Sequence, residues 1–319
     1  MNYKPIIIVA GEPNSVFFEL FFKIVKKRIR SPIILIASKK LLLSQAKILK
    51  KRINFNLITE LNVIKGKEKL KKINLINVNF DQPQAFCKIT SKSNNYISIC
   101  FDIAINLLKN NISNKLINGP ISKKNFLKNE FNGITEYLAK KTDTKKFAMI
   151  IYNKKLSVCP LTTHLPIKYV SKKINKLEII NKVKLINNFW KKKFNRNVKI
   201  GITGLNPHCE SIDNFNEDKK IILPTIKKLK KLKYNIEGPF AADTIFLTNN
   251  RRKFDLIIGM YHDQVLTPIK TLFEYDAINI TIGLPFIRVS PDHGPNETMI
   301  GKNKSNYLSL LNSIKFLDF

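Results

Sequence analysis

The chain is short of acid. Its 319 residues carry 23 Asp and Glu against 56 Lys and Arg, a formal net charge of +33. Arginine is scarce too, with seven against 49 lysines, and the lysines are scattered along nearly every predicted helix beside Asn and Ile. A nucleic-acid reader concentrates base on one face and uses Arg where it reads bases. This scatter therefore argues against specific nucleic-acid recognition, although non-specific attraction to polyanions follows from the charge. No apolar run approaches the roughly 18–20 residues of a membrane span. The opening MNYKPIIIVAGEP has too short an apolar run for a secretion signal and leads straight into a strand. The four cysteines, Cys87, Cys100, Cys159 and Cys209, form no CxxC pair, which favours reduced thiols over disulfides. The expectation is a cytoplasmic protein without membrane association.

Local signatures are missing as well. There is no GxGxxG or GxxxxGK[ST] phosphate loop, no HExxH zinc motif and no GxSxG nucleophile elbow. Hydrophobic residues at 44% and charged residues at 25% make an ordinary globular mixture, and the length suffices for two lobes.

What is present is alternation. Lys4–Ala10 and Pro32–Ala37 read as buried parallel strands, each followed by a helical pattern. In the turn Gly11–Ser15, Asn14 or Ser15 can cap the first helix. Tyr96–Lys109 has helical periodicity, and Lys115–Asn118, Phe147–Tyr152, Leu156–Cys159, Val198–Thr203 and Phe254–Met260 read as strands. Thr135 is a candidate helix cap, Gly238–Phe246 reads as a loop before a short helix, and Asn54–Gln84 fits no clear element. Strand–helix–strand spacing predicts an α/β fold with mostly parallel sheets and helices on both faces.

The most informative stretch is Phe254–Lys302. Its first half delivers Tyr261, His262, Asp263 and Gln264 at the end of an apolar strand. Its second half places Arg288, Asp292, His293 and Gly294 in a loop rich in Gly and Pro. Only four histidines occur, and His164, His208 and His262 each follow a predicted strand, in CPLTTH, GITGLNPH and IIGMYH. If those strands are parallel neighbours, their ends converge where α/β sheets bind ligands. Three neutral imidazoles make an open site for zinc or a similar divalent ion. Arg288, behind the apolar GLPFI, can clamp a carboxylate or phosphate or form a structural ion pair. Lys270 lies eight residues after His262 on the helix that this turn starts. Asp243, Asp263, Asp292 and Lys123 are further acids and bases near these turns.

Taken together, YHDQ, GLPFIRVSPDHG, GLNPH, TTHLP and NGPISK resemble the 4-hydroxythreonine-4-phosphate dehydrogenase family of pyridoxal 5′-phosphate biosynthesis. The likeness covers nearly the whole chain, with the motifs in the same order. It implies a two-lobed fold like that of isocitrate and isopropylmalate dehydrogenases, with residues 1–130 and 285–319 in one lobe and 131–284 in the other. It further implies a homodimer with shared active sites. By the same resemblance His164, His208 and His262 hold one divalent ion (Zn, Mg, Co or Mn), and Thr135, Lys270, Asn279 and Arg288 contact a phosphorylated small-molecule substrate. Ser290, Asp292, His293 and Gly294 then lie against the adenosine of NAD or NADP, and Asp243 or Lys270 moves protons. The implied reaction is oxidation and decarboxylation of 4-phosphohydroxy-L-threonine to 3-amino-2-oxopropyl phosphate.

The sequence departs from the family pattern in three places. Gly133-Ile134-Thr135-Glu136 stands where the family has Gly-His-Thr-Glu, so one substrate contact is altered. Asn14-Ser15-Val16-Phe17-Phe18 replaces a glycine-rich opening turn, and Pro295-Asn296 replaces small residues after Gly294. The altered Ile134 keeps open the same chemistry on threonate or erythronate 4-phosphate. A non-catalytic basic binding protein is the alternative from another class.

Overall fold

A computed structural model of the chain describes residues 3–127, 130–212 and 215–319. Among them the strands are, in chain order, β1 (Ile6–Val9), β2 (Ile33–Ala37), β3 (Asn56–Ile58), β4 (Ile73–Asn77), β5 (Lys115–Asn118), β6 (Ala148–Tyr152), β7 (Ser157–Thr162), β8 (Ile200–Thr203), β9 (Ile236–Phe240), β10 (Leu256–Tyr261), β11 (Ile278–Ile282) and β12 (Ile287–Pro291). The chain divides into two compact units, Met1–Leu138 with Pro285–Phe319, and Ala139–Leu284.

The first unit has strand order β3-β4-β2-β1-β5-β12, and every pairing in it is parallel. Its central strands are apolar at every position because both faces are covered by helices. Ile6, Ile7, Ile8 and Val9 have no exposed surface. The helix Phe17–Ile24 buries Phe17, Phe18, Leu20, Phe21, Phe22 and Ile24, with the Phe17 and Phe21 rings stacked at 5.8 Å. The helix Asn94–Lys109 turns Tyr96, Ile97, Cys100, Phe101 and Ala104 inward, as its 3.6-residue period dictates.

Two expectations are corrected in this unit. Asn14 does not cap the first helix. Its Oδ1 accepts from the Cys87 N–H at 2.8 Å and from Gln82 Nε2 at 3.2 Å, while Ser15 Oγ takes the Phe17 N–H at 3.3 Å. The segment that resisted reading, Asn54–Gln84, holds β3, a five-residue helix Glu60–Ile64 and β4. Its continuation through Cys87 folds onto the opening turn, held there by Asn14 and by Gln45, whose Nε2 reaches the carbonyls of Pro13 and Ala85.

The second unit has strand order β11-β6-β7-β10-β8-β9. Strands β7, β10, β8 and β9 run parallel, and β6 is antiparallel to both β7 and β11. Met149, Ile151, Val158, Phe254, Ile257, Val265 and Ile269 belong to one buried cluster there. The expected loop Gly238–Phe246 is instead the end of β9 through Phe240, followed by the short helix Ala242–Ile245. As an edge strand β9 tolerates Gly and Pro, which disguised it in the sequence. All four cysteines are free thiols. Among the described residues no helix is long and apolar enough to cross a membrane.

Candidate active site

The strands preceding three of the histidines are neighbours. β10 lies between β7 and β8 and is parallel to both, so His164, His262 and His208 all follow carboxyl ends on one edge of the second unit's sheet. His262 opens the helix His262–Phe273 directly after β10. His164 (φ 49°) and His208 (φ 54°) both sit in left-handed backbone, a region in which histidine is enriched among non-glycine residues. Their turns thus reverse sharply after the strand.

The His164 and His262 ring centroids are 5.7 Å apart. Two imidazoles sharing an ion at nitrogen distances of about 2.0–2.1 Å have centroids roughly 5–6 Å apart, so this pair fits a common divalent ion. His262 Nδ1 lies 2.6 Å from Asp263 Oδ1. A carboxylate only accepts, so this contact puts the proton on Nδ1 and leaves Nε2 as the ligand atom, the usual arrangement behind a metal-bound histidine. Among the described residues, however, no three His, Cys, Asp or Glu side chains stand close enough to hold a metal. The exposed His208 therefore does not complete a closed triad with the pair.

The other predicted residues of this unit fall around the same strands. Asp243 is exposed in the first turn of the helix Ala242–Ile245 and acts electrostatically on Cys209, the residue after His208. Burial first, and then Asp218, push the Cys209 thiol up. Lys270 is exposed in the last turn of the helix that His262 opens. Asn279 lies on β11 opposite Ile151, and its Oδ1 is buried with no hydrogen-bond partner among the described residues. A buried acceptor left open is a feature that calls for a ligand or a water.

In the first unit the sequence expectation of a loop at Arg288 is corrected, because Arg288 lies in β12, beside Leu116 of β5. Pro285 and Pro291 bracket that strand and gave it the look of a loop. Arg288 is 4% exposed. Its Nε donates to Asn118 Oδ1 at 2.7 Å and its Nη1 to Thr135 Oγ1 at 3.4 Å. Thr135 is inside the helix Ile134–Lys141 rather than capping it. Burial pulls the guanidinium down to about 10, opposed by Glu136. It stays charged at neutral pH. One Glu136 oxygen, Oε2, is buried without a hydrogen-bond partner among the described residues, and Ile134 adds an apolar wall that is 8% exposed.

Ser290 is buried at the end of β12, and the Asp292 N–H is held by Ser309 Oγ at 2.9 Å. His293 Nδ1 lies 3.0 Å from the Gly294 carbonyl. The loop then meets the opening turn, where the Val16 N–H donates to the Pro295 carbonyl at 3.2 Å. Two buried side chains are hydrogen-bonded to the histidine turns: Gln264, which the sequence offered only as part of the polar cluster after β10 and without a role, and Asp218, which went unnoticed. The signal available for each was a polar residue on the buried face of a helix.

The chain is similar to known proteins along nearly its whole length. The family model described as "Pyridoxal phosphate biosynthetic protein PdxA" matches residues 28–317. A 4-hydroxythreonine-4-phosphate dehydrogenase from Sulfurihydrogenibium sp. is 36% identical over 97% of this chain and 95% of its own length. A D-threonate 4-phosphate dehydrogenase from Pectobacterium atrosepticum is 34% identical over 51% of each chain. The crystal structure of a 4-hydroxythreonine-4-phosphate dehydrogenase from Burkholderia phymatum superposes with a TM-score of 0.79 at 25% identity, covering 99% of this chain and 98% of that one. The chain belongs to the 4-hydroxythreonine-4-phosphate dehydrogenase family of oxidoreductases.

Proposed function

We propose that this chain oxidises the secondary hydroxyl of 4-phosphohydroxy-L-threonine by hydride transfer to NAD or NADP, and that the resulting β-keto acid loses CO₂ to give 3-amino-2-oxopropyl phosphate. Family membership gives the reaction class. The observation that carries the assignment to this chain is the pairing of the His164 and His262 rings beside Asp263, at neighbouring strand ends.

If a divalent ion (zinc, magnesium, cobalt or manganese) is bound, the His164–His262 pair would hold it, with His208 joining only by a movement of its turn, and it would supply positive charge that favours loss of hydride and of CO₂. Asp243 takes the hydroxyl proton, and Lys270 returns a proton to the carbon that has lost CO₂. Arg288 and Thr135 bind the substrate phosphate. Arg288 is suited to that work, since its guanidinium is desolvated and already held in place by Asn118. Lys270 and Asn279 are assigned as further substrate contacts. Ser290, Asp292, His293 and Gly294 are assigned to the adenosine of the cofactor, and the working form is a homodimer.

Ile134 favours a second reading, the same chemistry on D-threonate 4-phosphate. A buried isoleucine offers no hydrogen bond to the substrate, and the Pectobacterium relative carries that activity in its name. Formation of reduced nicotinamide from each phosphate, with each metal and with a chelator, separates the two. Metal-dependent turnover of 4-phosphohydroxy-L-threonine that is lost in His262→Ala supports the first reading. Turnover of D-threonate 4-phosphate alone supports the second. Absence of turnover with either phosphate overturns both.

A further inference from the structure

The first unit carries a cavity of about 580 Å³ that includes none of the residues assigned above. It is lined by Val25 and Lys26, by residues 52–56 running into β3, and by residues 71–73 running into β4. Because the strands of this unit are all parallel, the cavity stands at their amino ends. Asn118 and Ser290, by contrast, lie at the carboxyl ends of β5 and β12. Pockets that take small molecules commonly measure about 300–1,000 Å³, so this one is of a size to hold a ligand of its own.

Its charge is one-sided. Lys26, Arg52, Lys71 and Lys72 line it, and no acidic side chain does. Among the described residues none of these cations has a carboxylate within ion-pairing distance. Cations gathered around a concave surface focus positive potential into it. Two of them are held in place. Lys72 Nζ donates to the Lys27 carbonyl at 3.2 Å, which joins the β4 side of the cavity to the stretch containing Val25 and Lys26. Asn74, with no exposed surface, accepts the Lys71 N–H on Oδ1 at 2.8 Å. Its Nδ2 donates to the Lys71 carbonyl at 2.7 Å and to the Ile33 carbonyl at 3.0 Å. A buried amide thus pins to β2 the stretch that presents both lysines.

The remaining lining is uncharged. Val25, Ile53, Ile73 and the ring of Phe55 supply apolar surface, and Asn54 and Asn56 supply amides. A lone phosphate would engage one or two of the cations and leave the apolar side empty. A strand of nucleic acid needs aromatic platforms along a groove, and this cavity has a single ring. A phosphate chain joined to a flat heterocycle uses both halves of the lining.

We propose that the cavity binds a nucleoside polyphosphate, with Lys26, Arg52, Lys71 and Lys72 on the phosphate chain, Phe55 against the base, and the asparagine amides on the base edge.

The test is isothermal titration of the full chain with ATP and with inorganic tripolyphosphate, at about 0.15 M salt to screen diffuse charge. Lys71→Glu/Lys72→Glu should weaken both ligands by about 10-fold or more. Phe55→Ala should weaken ATP by about 5-fold or more and leave tripolyphosphate unchanged. Lys227→Glu/Lys228→Glu makes the same change of net charge on exposed lysines of the helix Leu223–Lys231, and both ligands should bind it as they bind the parent. Equal weakening in that control overturns the proposal, since overall charge then accounts for the binding. A parent that binds no ATP overturns it, as does ATP binding that every variant retains. Single-stranded DNA that binds tighter than ATP, and is lost in Lys71→Glu/Lys72→Glu, overturns the small-ligand assignment in favour of nucleic acid. Circular dichroism checks the fold of each variant. If the double variant does not fold, Arg52→Gln takes its place, and unchanged ATP affinity there overturns the proposal.

Discussion

Arg288 on β12 donates its Nε hydrogen to Asn118 Oδ1 at 2.7 Å, across to the neighbouring strand β5. Its position is thus fixed before any ligand arrives, and Thr135 lies within reach of Nη1. A lysine has a single charged point and cannot keep both contacts while facing a phosphate. Hydrogen bonds to charged groups are worth about 1.5–3 kcal/mol. Arg288→Lys should therefore raise KM for the phosphorylated substrate by roughly 10–100-fold, as measured by steady-state kinetics. An unchanged KM would remove Arg288 from the phosphate site.

Asp263 sets the tautomer of His262 through the 2.6 Å contact to Nδ1. The carboxylate side chain is 79% exposed, so the effect belongs at the lower end of the range for such outer contacts. Asp263→Asn should weaken zinc binding by about 10-fold in a competition titration and leave the thermal midpoint near that of the parent.

Gly119, in the turn after β5, has no room for a side chain. A Cβ would lie 2.1 Å from the Ala10 carbonyl oxygen and 2.7 Å from Phe17 Cδ2, one a backbone atom and the other in the core. Forced overpacking costs about 1–3 kcal/mol or more. Gly119→Ala should lower the urea midpoint by a corresponding amount without changing the slope.

Burial pushes the Cys100 thiol up to about 12 and the Cys159 thiol up to about 11, from an ordinary value of 9.0. Above pH 9 the unfolded chain releases these protons while the folded chain keeps them, so the unfolded state binds fewer protons and stability falls as pH rises. The contribution is whole below pH 9 and is lost on approaching pH 11–12. Urea denaturation between pH 8 and 11 should show that decline, with a shallower slope in Cys159→Ala. An identical slope in the variant would exclude the thiol as its source.

The buried strands of the first unit were legible because Ile6–Val9 and Ile33–Ala37 are unbroken apolar runs covered on both faces. β3 was not, since its three residues are mostly half-exposed and give no alternation to read. Prolines at both ends concealed the strand around Arg288, and glycine and proline inside β9 concealed that edge. Of the site, the three histidines at strand ends could be picked out by position, and the neighbourhood of β7, β10 and β8 bears out the geometry that made them interesting. Their reading as a metal site rested first on those strand-end positions and then on family resemblance, whereas the substrate roles of Asn279 and Thr135 came from the resemblance alone. Gln264 and Asp218 were legible only as polar residues on buried helix faces, because the groups they hold in the turn after β8 are distant in sequence.

Left-handed backbone at His164 and His208 has a bearing on how this sequence can drift. Among the described residues, Asn111, Asn195, Asn296 and Asn303 adopt the same conformation, and asparagine is well suited to it whereas β-branched residues are not. In a chain so rich in lysine, asparagine and isoleucine, the backbone itself bars isoleucine from positions 164 and 208. It does not bar asparagine, which would fold there with little strain and lack the imidazole. The architecture therefore offers no protection to these two histidines. Only the need for their chemistry does, and a copy released from that need would first betray itself by asparagine at one of these two turns.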